Sequence, residues 1–235
     1  MAAPRATRQQ QPSLSEDAEI ARLKRAAATT AAELLQDGMR VGLGTGTTVA
    51  YLLPAIADRA LKGLRCVATS PATEHAAREL GLSVTTLDEL GELDIAVDGA
   101  DQIDPDGWLV KGGGGAHTRE KIVASAASCF VVIASAEKAV RELGPPVPLE
   151  LVRFGVQHTL ATLGQARLRE TAESPDGGLI ADYLGPVGDP RALAARFGET
   201  PGVVEHGLFA PELVSLILIA AEAGVERRPG AKRGG

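Results

Sequence analysis

Residues 94–121 read D-I-A-V-D-G-A-D-Q-I-D-P-D-G-W-L-V-K-G-G-G-G-A-H-T-R-E-K, and most of the reactive side chains fall there. Asp98 and Asp101 follow a short apolar run. They are placed either to hold substrate hydroxyls or simply to cap a turn. Lys111 precedes Gly112, Gly113, Gly114 and Gly115. Consecutive glycines carry a heavy entropic cost, so a loop that hugs a ligand is expected, with backbone N–H groups aimed at developing negative charge. Glu120 falls in the first turn of the next helix, as a general base or as a mere complement to the helix dipole. The dipole lowers its pKa and burial raises it. Lys121 reads as a solvated helix residue and Thr118 as the N-cap. A carboxylate base beside oxyanion-stabilising groups suits proton abstraction next to a carbonyl, chemistry that needs no cofactor.

A second constellation is G-L-G-T-G-T-T at 42–48. It lacks the third-glycine spacing of a dinucleotide fingerprint, and the next strand ends in Thr69-Ser70 rather than at an acid. No Gly-Lys-Ser/Thr is present, so an ATP-type phosphate loop is excluded. What remains is a glycine turn with the hydroxyls of Thr45, Thr47 and Thr48 at a helix N-terminus. That suits a phosphate monoester; a tight turn with N-caps would use the same residues. His75, His117, His158 and His206 are scattered, so no metal site is expected.

These groups must be positioned by strand ends. Short apolar segments at 39–43, 64–68, 83–86, 94–97 and 129–134 read as strands. Helical periodicity separates them: a helix opened by a capping box at 13–16 and closed at Asp37-Gly38, one from Thr47 with a kink or break at Pro54, one over 72–80, and one over 118–128. Repeated strand–helix–strand units imply an α/β fold, a mostly parallel sheet covered by helices on both faces. Ligands then bind beyond the carboxyl ends of the strands. Gly44 to Thr48, Thr69-Ser70, Asp98-Gly99-Ala100-Asp101, and Ser135 with Lys138 close behind all fall there. After the punctuation Gly144-Pro145-Pro146-Val147-Pro148 the texture changes. Short strands at 149–154, 179–183 and 203–205, with helices at 157–163 and 190–197, read as a smaller α+β unit. A strand over 213–220 returns to the first sheet. The expected division is a tail over 1–14, a catalytic domain over 15–144, the small domain over 145–206, a return over 207–226 and a basic tail over 227–235.

With 235 residues the chain can form one large domain, or a large and a small one. A composition 45% hydrophobic and 23% charged excludes wholesale disorder. Only 3% is aromatic, so the core is aliphatic and a base-stacking surface is not expected. All 30 acidic residues lie within 16–226, whereas Arg5, Arg8, Arg227, Arg228, Lys232 and Arg233 lie outside it, so the body is more acidic than the overall charge of −6. That disfavours nucleic acid as a partner. Cys66 and Cys129 read as buried thiols, not a disulfide scaffold. No apolar run approaches the roughly 18 residues of a membrane helix, and no signal-peptide core opens the chain, so no membrane partner is expected.

Together, G-L-G-T-G-T-T (42–48), T-S-x-x-T (69–73), D-G-A-D (98–101), K-G-G-G-G-A-x-x-x-E-K (111–121), P-V-P-L-E (146–150) and P-G-V-V-E-x-G-L-F (201–209) closely resemble type A ribose-5-phosphate isomerase. The motifs keep that family's order over nearly the whole body. The resemblance implies a Rossmann-like α/β domain with a smaller α+β domain, in a homodimer or higher homo-oligomer. It also implies a cytoplasmic isomerase of the non-oxidative pentose phosphate pathway. The reaction implied is interconversion of D-ribose 5-phosphate and D-ribulose 5-phosphate through a cis-enediol(ate), without a cofactor. By the same match Glu120 is the base, Asp98 assists at the ring oxygen, Asp101 positions hydroxyls, and Lys111 with Gly112, Gly113 and Gly114 stabilises the enediolate. Thr45, Gly46, Thr47, Thr48, Gly99, Ala100, Lys24 and Lys138 complete the substrate site.

The sequence departs from the family pattern in places. Thr47 replaces a usual serine and Gln102 a usual acid. Ala134-Ser135-Ala136-Glu137-Lys138 replaces a pattern like A-D-x-S-K, which predicts that Glu137 draws Lys138 away from phosphate. Residues 170–178 are shorter than the family's strand and turn, and 221–228 match only loosely. Two other readings use the same residues: a coenzyme A transferase with Glu120 as nucleophile, and a sugar-phosphate sensor that binds without turnover.

Overall fold

The computed structural model describes residues 14–232. The expected tail up to residue 13, Ser13 of the capping box, and residues 233–235 lie outside it. The first helix, α1 (Leu14–Ala32), buries Leu23, Ala27, Ala28 and Ala31, one apolar stripe at helical spacing. It stops short of the expected Asp37-Gly38, and the chain turns there, with Gly38 at φ +79°. After β1 (Arg40–Leu43), α2 (Val49–Ala57) runs unbroken through Pro54. The break expected there does not occur, because the helix ends one turn later and only one backbone bond is forgone. β2 (Arg65–Ala68) leads into α3 (Pro71–Glu79), whose N-cap Ser70 accepts from the Thr73 N–H.

The strand expected at 83–86 is a single bridge between Val84 and Cys66. Thr86 there instead caps α4 (Leu87–Leu90), accepting from the Glu89 N–H. Next come β3 (Leu93–Gly99), β4 (Gln102–Ile103), β5 (Leu109–Val110), α5 (His117–Ala126) and β6 (Ala127–Ser135), followed by a 3-10 turn at Ala136–Lys138. The smaller unit holds β7 (Val147–Leu151), α6 (Val156–Leu163), β8 (Ala166–Glu173), β9 (Leu179–Tyr183), α7 (Pro190–Gly198) and β10 (Val203–His206). Finally β11 (Leu208–Phe209), a 3-10 turn at Pro211–Leu213, β12 (Leu216–Ala221) and β13 (Gly224–Pro229) close the chain.

The main sheet has the order β13-β12-β6-β3-β1-β2, parallel except for the edge strand β13. Its inner strands β1, β3, β6 and β12 are buried on both faces, as parallel sheets require. On β3, Ile95 and Val97 face the core shared with α1 and α2, while Ala96 faces the core shared with α5. Gly42 permits that second packing, since a Cβ there would come within 2.4 Å of Val123 on α5. Two parts of the expected plan need correction. The basic tail begins inside β13, where Arg227 and Arg228 pair with Leu218 and Ile217. The strand expected from 213 begins at Leu216, because Pro211 starts a 3-10 turn instead.

The second sheet, β10-β7-β9-β8, is antiparallel and packs Leu149, Leu151, Tyr183 and Phe197 into its own core. Despite the shortened 170–178 segment, β8 pairs with β9, with a register break between Leu168 and Glu173. A third sheet, β11-β5-β4, is made of two-residue strands that no periodicity could announce. It holds the start of the glycine loop: the Lys111 N–H donates to the Gly207 carbonyl at 2.8 Å.

Candidate active site

β3 carries Asp98 to the carboxyl edge of the main sheet, β5 delivers Lys111 beside it, and the first turn of α5 brings Glu120 against both. Lys111 Nζ lies 2.9 Å from Asp98 Oδ2 and 3.1 Å from Glu120 Oε2. The three side chains are only 3–4% exposed. Lys111 aims its hydrogen bond at the Gly99 carbonyl, at 2.6 Å. It meets the two carboxylates as an ion pair, so Asp98 Oδ2 and Glu120 Oε2 have no hydrogen-bond donor among the described residues. Asp98 Oδ1 is better served, accepting from the N–H groups of Thr45 (3.1 Å) and Gly99 (2.7 Å).

Two buried carboxylates against one ammonium leave an excess negative charge that desolvation penalises. Burial, followed by the neighbouring Asp98 charge, pushes Glu120 up to about 8, against the opposing pull of Lys111. The net direction, which the sequence left open, is upward. Burial also raises Asp98. Burial opposes the charge on Lys111, but Asp98 and Glu120 together hold its pKa above the ordinary value.

Lys111 and Glu120 border a cavity of about 290 Å³. Every residue expected in the site lines it except Asp98, which stands behind Lys111, and Lys24. Thus Thr45, Gly46, Thr47, Thr48, Gly99, Ala100, Asp101, Gly112, Gly113, Gly114 and Lys138 are brought together with Lys111 and Glu120. Lys24 reaches the site indirectly, donating to the Thr47 hydroxyl at 2.9 Å. The first helical bond of the turn runs from the Ala50 N–H to the Gly46 carbonyl, so the N–H groups just before it face forward at the helix N-terminus. Thr45 has a second task. Its hydroxyl meets that of Thr69 at 2.8 Å, while the Thr73 hydroxyl donates to the Gly44 carbonyl, so the end of β2 buttresses the turn.

Several expectations are corrected. Glu137 does not draw Lys138 away: it accepts from the Ser135 hydroxyl at 2.6 Å, and Lys138 lines the cavity. Gln102 faces away, its amide exchanging two hydrogen bonds with the Gly144 backbone. Thr118 does not cap α5. The N-cap is Ala116, and the Thr118 hydroxyl donates to buried Glu150 on β7. Lys121 is not solvated; it is 15% exposed, bonded to Glu205 Oε1 and the His206 carbonyl at 2.7 Å each, over the Phe209 ring. Cys66 is buried and its thiol pKa raised to about 11 by that burial, whereas Cys129 is only half-buried.

Arg169 on β8, which reaches the glycine loop, carries no motif that marks it in the sequence, and His117 reads there only as one of four scattered histidines. The His117 ring is fully buried flush against Gly112, where a Cβ would come within 2.6 Å of its Nδ1. Gly112 also sits at φ +99°, so glycine is required there twice over. Burial, with the nearby Lys121 charge, lowers His117 to about 4, leaving it neutral. Among the described residues, no group of three or more His, Cys, Asp or Glu is arranged to hold a metal ion.

Residues 65–224 match the family model described as ribose 5-phosphate isomerase A (phosphoriboisomerase A). The chain is 47% identical to ribose-5-phosphate isomerase A of Caulobacter vibrioides, an alignment covering 87% of this chain and 96% of that protein. Among solved structures, ribose 5-phosphate isomerase A from Neisseria gonorrhoeae superposes with a TM-score of 0.86 at 32% identity, over 89% of this chain and 97% of that one. A D-ribose-5-phosphate isomerase in complex with phospho-erythronic acid superposes with a TM-score of 0.85 at 30% identity, over 89% and 99% of the two chains.

Proposed function

The chain belongs to the ribose 5-phosphate isomerase A family, and from that premise we propose how its own residues carry the reaction. It is an aldose–ketose isomerase that interconverts D-ribose 5-phosphate and D-ribulose 5-phosphate through a cis-enediol(ate). The observation that carries the reading is the buried Asp98–Lys111–Glu120 trio, with Lys111 and Glu120 on the wall of a cavity whose far side is a helix N-terminus. One end suits a phosphate dianion and the other a moving proton.

The phosphate sits on the turn from Thr45 to Thr48, with Lys138 beside it and Lys24 acting through the Thr47 hydroxyl. Asp98, paired with Lys111 at the edge of the site, assists ring opening at the ring oxygen, and Asp101 holds substrate hydroxyls. Glu120, as carboxylate, takes the proton from C2 of the open aldose. The electron pair left behind forms the C1–C2 double bond, and negative charge collects on O1. Lys111 and the glycine-loop N–H groups oppose that charge. Transfer of the O2 proton to O1 moves the negative charge to O2, and Glu120 then returns the proton to C1 as the C2 carbonyl forms, completing the ketose. Phospho-erythronic acid, the ligand of the related structure, fits this scheme chemically. Its carboxylate holds two oxygens cis in one plane, resembling the planar O1 and O2 that the cis-enediolate bears on adjacent carbons.

We also place the enzyme in the cytoplasm, in the non-oxidative pentose phosphate pathway, as a homodimer or higher homo-oligomer. Residues 145–206 serve on this reading as the smaller domain and 15–144 with 207–226 as the catalytic one. The deciding experiment mixes EDTA-treated protein with ribose 5-phosphate and follows ribulose 5-phosphate by NMR. Rapid approach to a fixed mixture is expected; saturable binding without conversion would make the protein a sensor instead.

A further inference from the structure

Arg169 stands on the opposite side of the glycine loop from the cavity and belongs to a different sheet. Its Nε and Nη2 grip Asp182 on β9 in a two-pronged pair, at 2.8 and 2.6 Å. That leaves Nη1 aimed at the loop, where it donates to the Gly113 carbonyl at 2.9 Å and the Gly112 carbonyl at 3.3 Å. A planar trans peptide points its carbonyl and the following N–H in opposite directions. Holding the Gly112 carbonyl therefore turns the Gly113 N–H away, and it meets Asp101 Oδ2 on the cavity wall at 2.9 Å. Holding the Gly113 carbonyl turns the Gly114 N–H the same way. That N–H has no hydrogen-bond partner among the described residues, and Gly114 lines the cavity.

Four glycines in a row have no side chains to fix their peptide planes, so the orientation must be imposed from outside. We propose that Arg169, aligned by Asp182, is a positioning residue for the isomerisation. It locks the 112–113 and 113–114 peptides so that the Gly114 N–H faces the oxygen on which enediolate charge develops. The planar fork of arginine is suited to this, because it satisfies one carboxylate and two carbonyls at once; a lysine ammonium cannot span both. The proposal rests on the isomerase reading and adds to it a residue outside the cavity.

The test compares wild type, Arg169→Met and Arg169→Lys in kcat and KM for ribose 5-phosphate, in inhibition by phospho-erythronic acid, and in thermal midpoint. A misdirected oxyanion donor costs roughly 10²-fold in kcat. That loss is expected in Arg169→Met, with KM little changed, phospho-erythronic acid affinity falling alongside kcat, and Arg169→Lys recovering only part. If Arg169 merely ties two sheets together, the midpoint drops while kcat and inhibitor affinity at 25 °C stay within about twofold of wild type, and the proposal is overturned. Should Arg169→Met fail to fold, Arg169→Lys and Asp182→Asn carry the same comparison. A wild type that does not turn over ribose 5-phosphate would sink the isomerase reading and this proposal with it. An active wild type matched by its variants sinks the proposal alone.

Discussion

Glu120 is pushed up to about 8 because it is buried beside Asp98, with only part of the Lys111 charge to compensate. The base must be ionised to take a proton, so kcat/KM should climb with pH, half complete near pH 8 and level only above it, rather than level by about pH 6 as for an ordinary glutamate. Replacing it in Glu120→Gln should cost about 10²–10⁴ in kcat, the usual worth of a general base; near-normal turnover would remove Glu120 from the role. The same shift has a stability consequence. Between the ordinary glutamate pKa of 4.5 and about 8 the folded state keeps a proton that the unfolded chain has released, so wild-type stability falls as pH rises through that window. Urea titrations at pH 5 and pH 9 should show the fall in wild type and a smaller one in Glu120→Gln. Lys111→Met takes away the cation between the two carboxylates. Leaving buried charge uncompensated typically costs about 3–5 kcal/mol, and the loss should be greater at pH 9 than at pH 5, where the carboxylates can take up protons. Asp98, Lys111 and Glu120 were legible because they fall within 23 residues around tell-tale glycines. The burial of Lys121 was not, because its partners Glu205 and Phe209 arrive from another part of the chain.

Element by element, the site depends on close approach of backbones, and this explains which parts of the fold could be read in advance. The β1, β3 and β6 strands were legible as apolar runs ending in polar residues. The two-residue strands β4, β5 and β11 were not, although β5 and β11 fix where Lys111 begins. β8 was missed too, since A-R-L-R-E-T-A-E carries too few apolar residues to mark a buried strand. The meeting of β1 and β3 yields a sharp prediction. A Cβ at Gly44 would fall 2.0 Å from Cγ and Oδ1 of Asp98, so alanine and the Asp98 carboxylate cannot both occupy that corner. Gly44→Ala must displace Asp98, breaking its bond from the Thr45 N–H and its pairing with Lys111. Overpacking of this kind costs typically about 1–3 kcal/mol, which leaves a folded protein to assay. Its kcat should fall steeply, and the Thr45–Thr48 turn, now pulled from its anchor, should also bind inorganic phosphate more weakly in a competition assay. A variant with wild-type kcat would show that Asp98 need not hold this position.

At the scale of the whole molecule, a second cleft is larger than the proposed catalytic cavity. It encloses about 580 Å³ between α5, the β2 edge of the main sheet and the second sheet. Its two arginines are already paired, Arg78 with Glu74 at 2.7 Å and Arg119 with Asp176 at 2.6 Å, so neither of them awaits an anionic ligand. Ile122 and Val204 line the same cleft, 52% and 48% exposed. An apolar centre with a polar rim is the anatomy of a protein interface, and for a homo-oligomer the occupant is a second copy of this chain. Light scattering should then return at least twice the 24.3 kDa of one chain. Placing two charges in the apolar centre with Ile122→Glu and Val204→Glu should shift the particle toward the single-chain mass as it is diluted. All the residues assigned to the reaction belong to one chain, so the dissociated variant should still convert ribose 5-phosphate. A double variant with unchanged mass would move the oligomer contact elsewhere, and the first place to look is Phe154, which is 92% exposed just beyond β7.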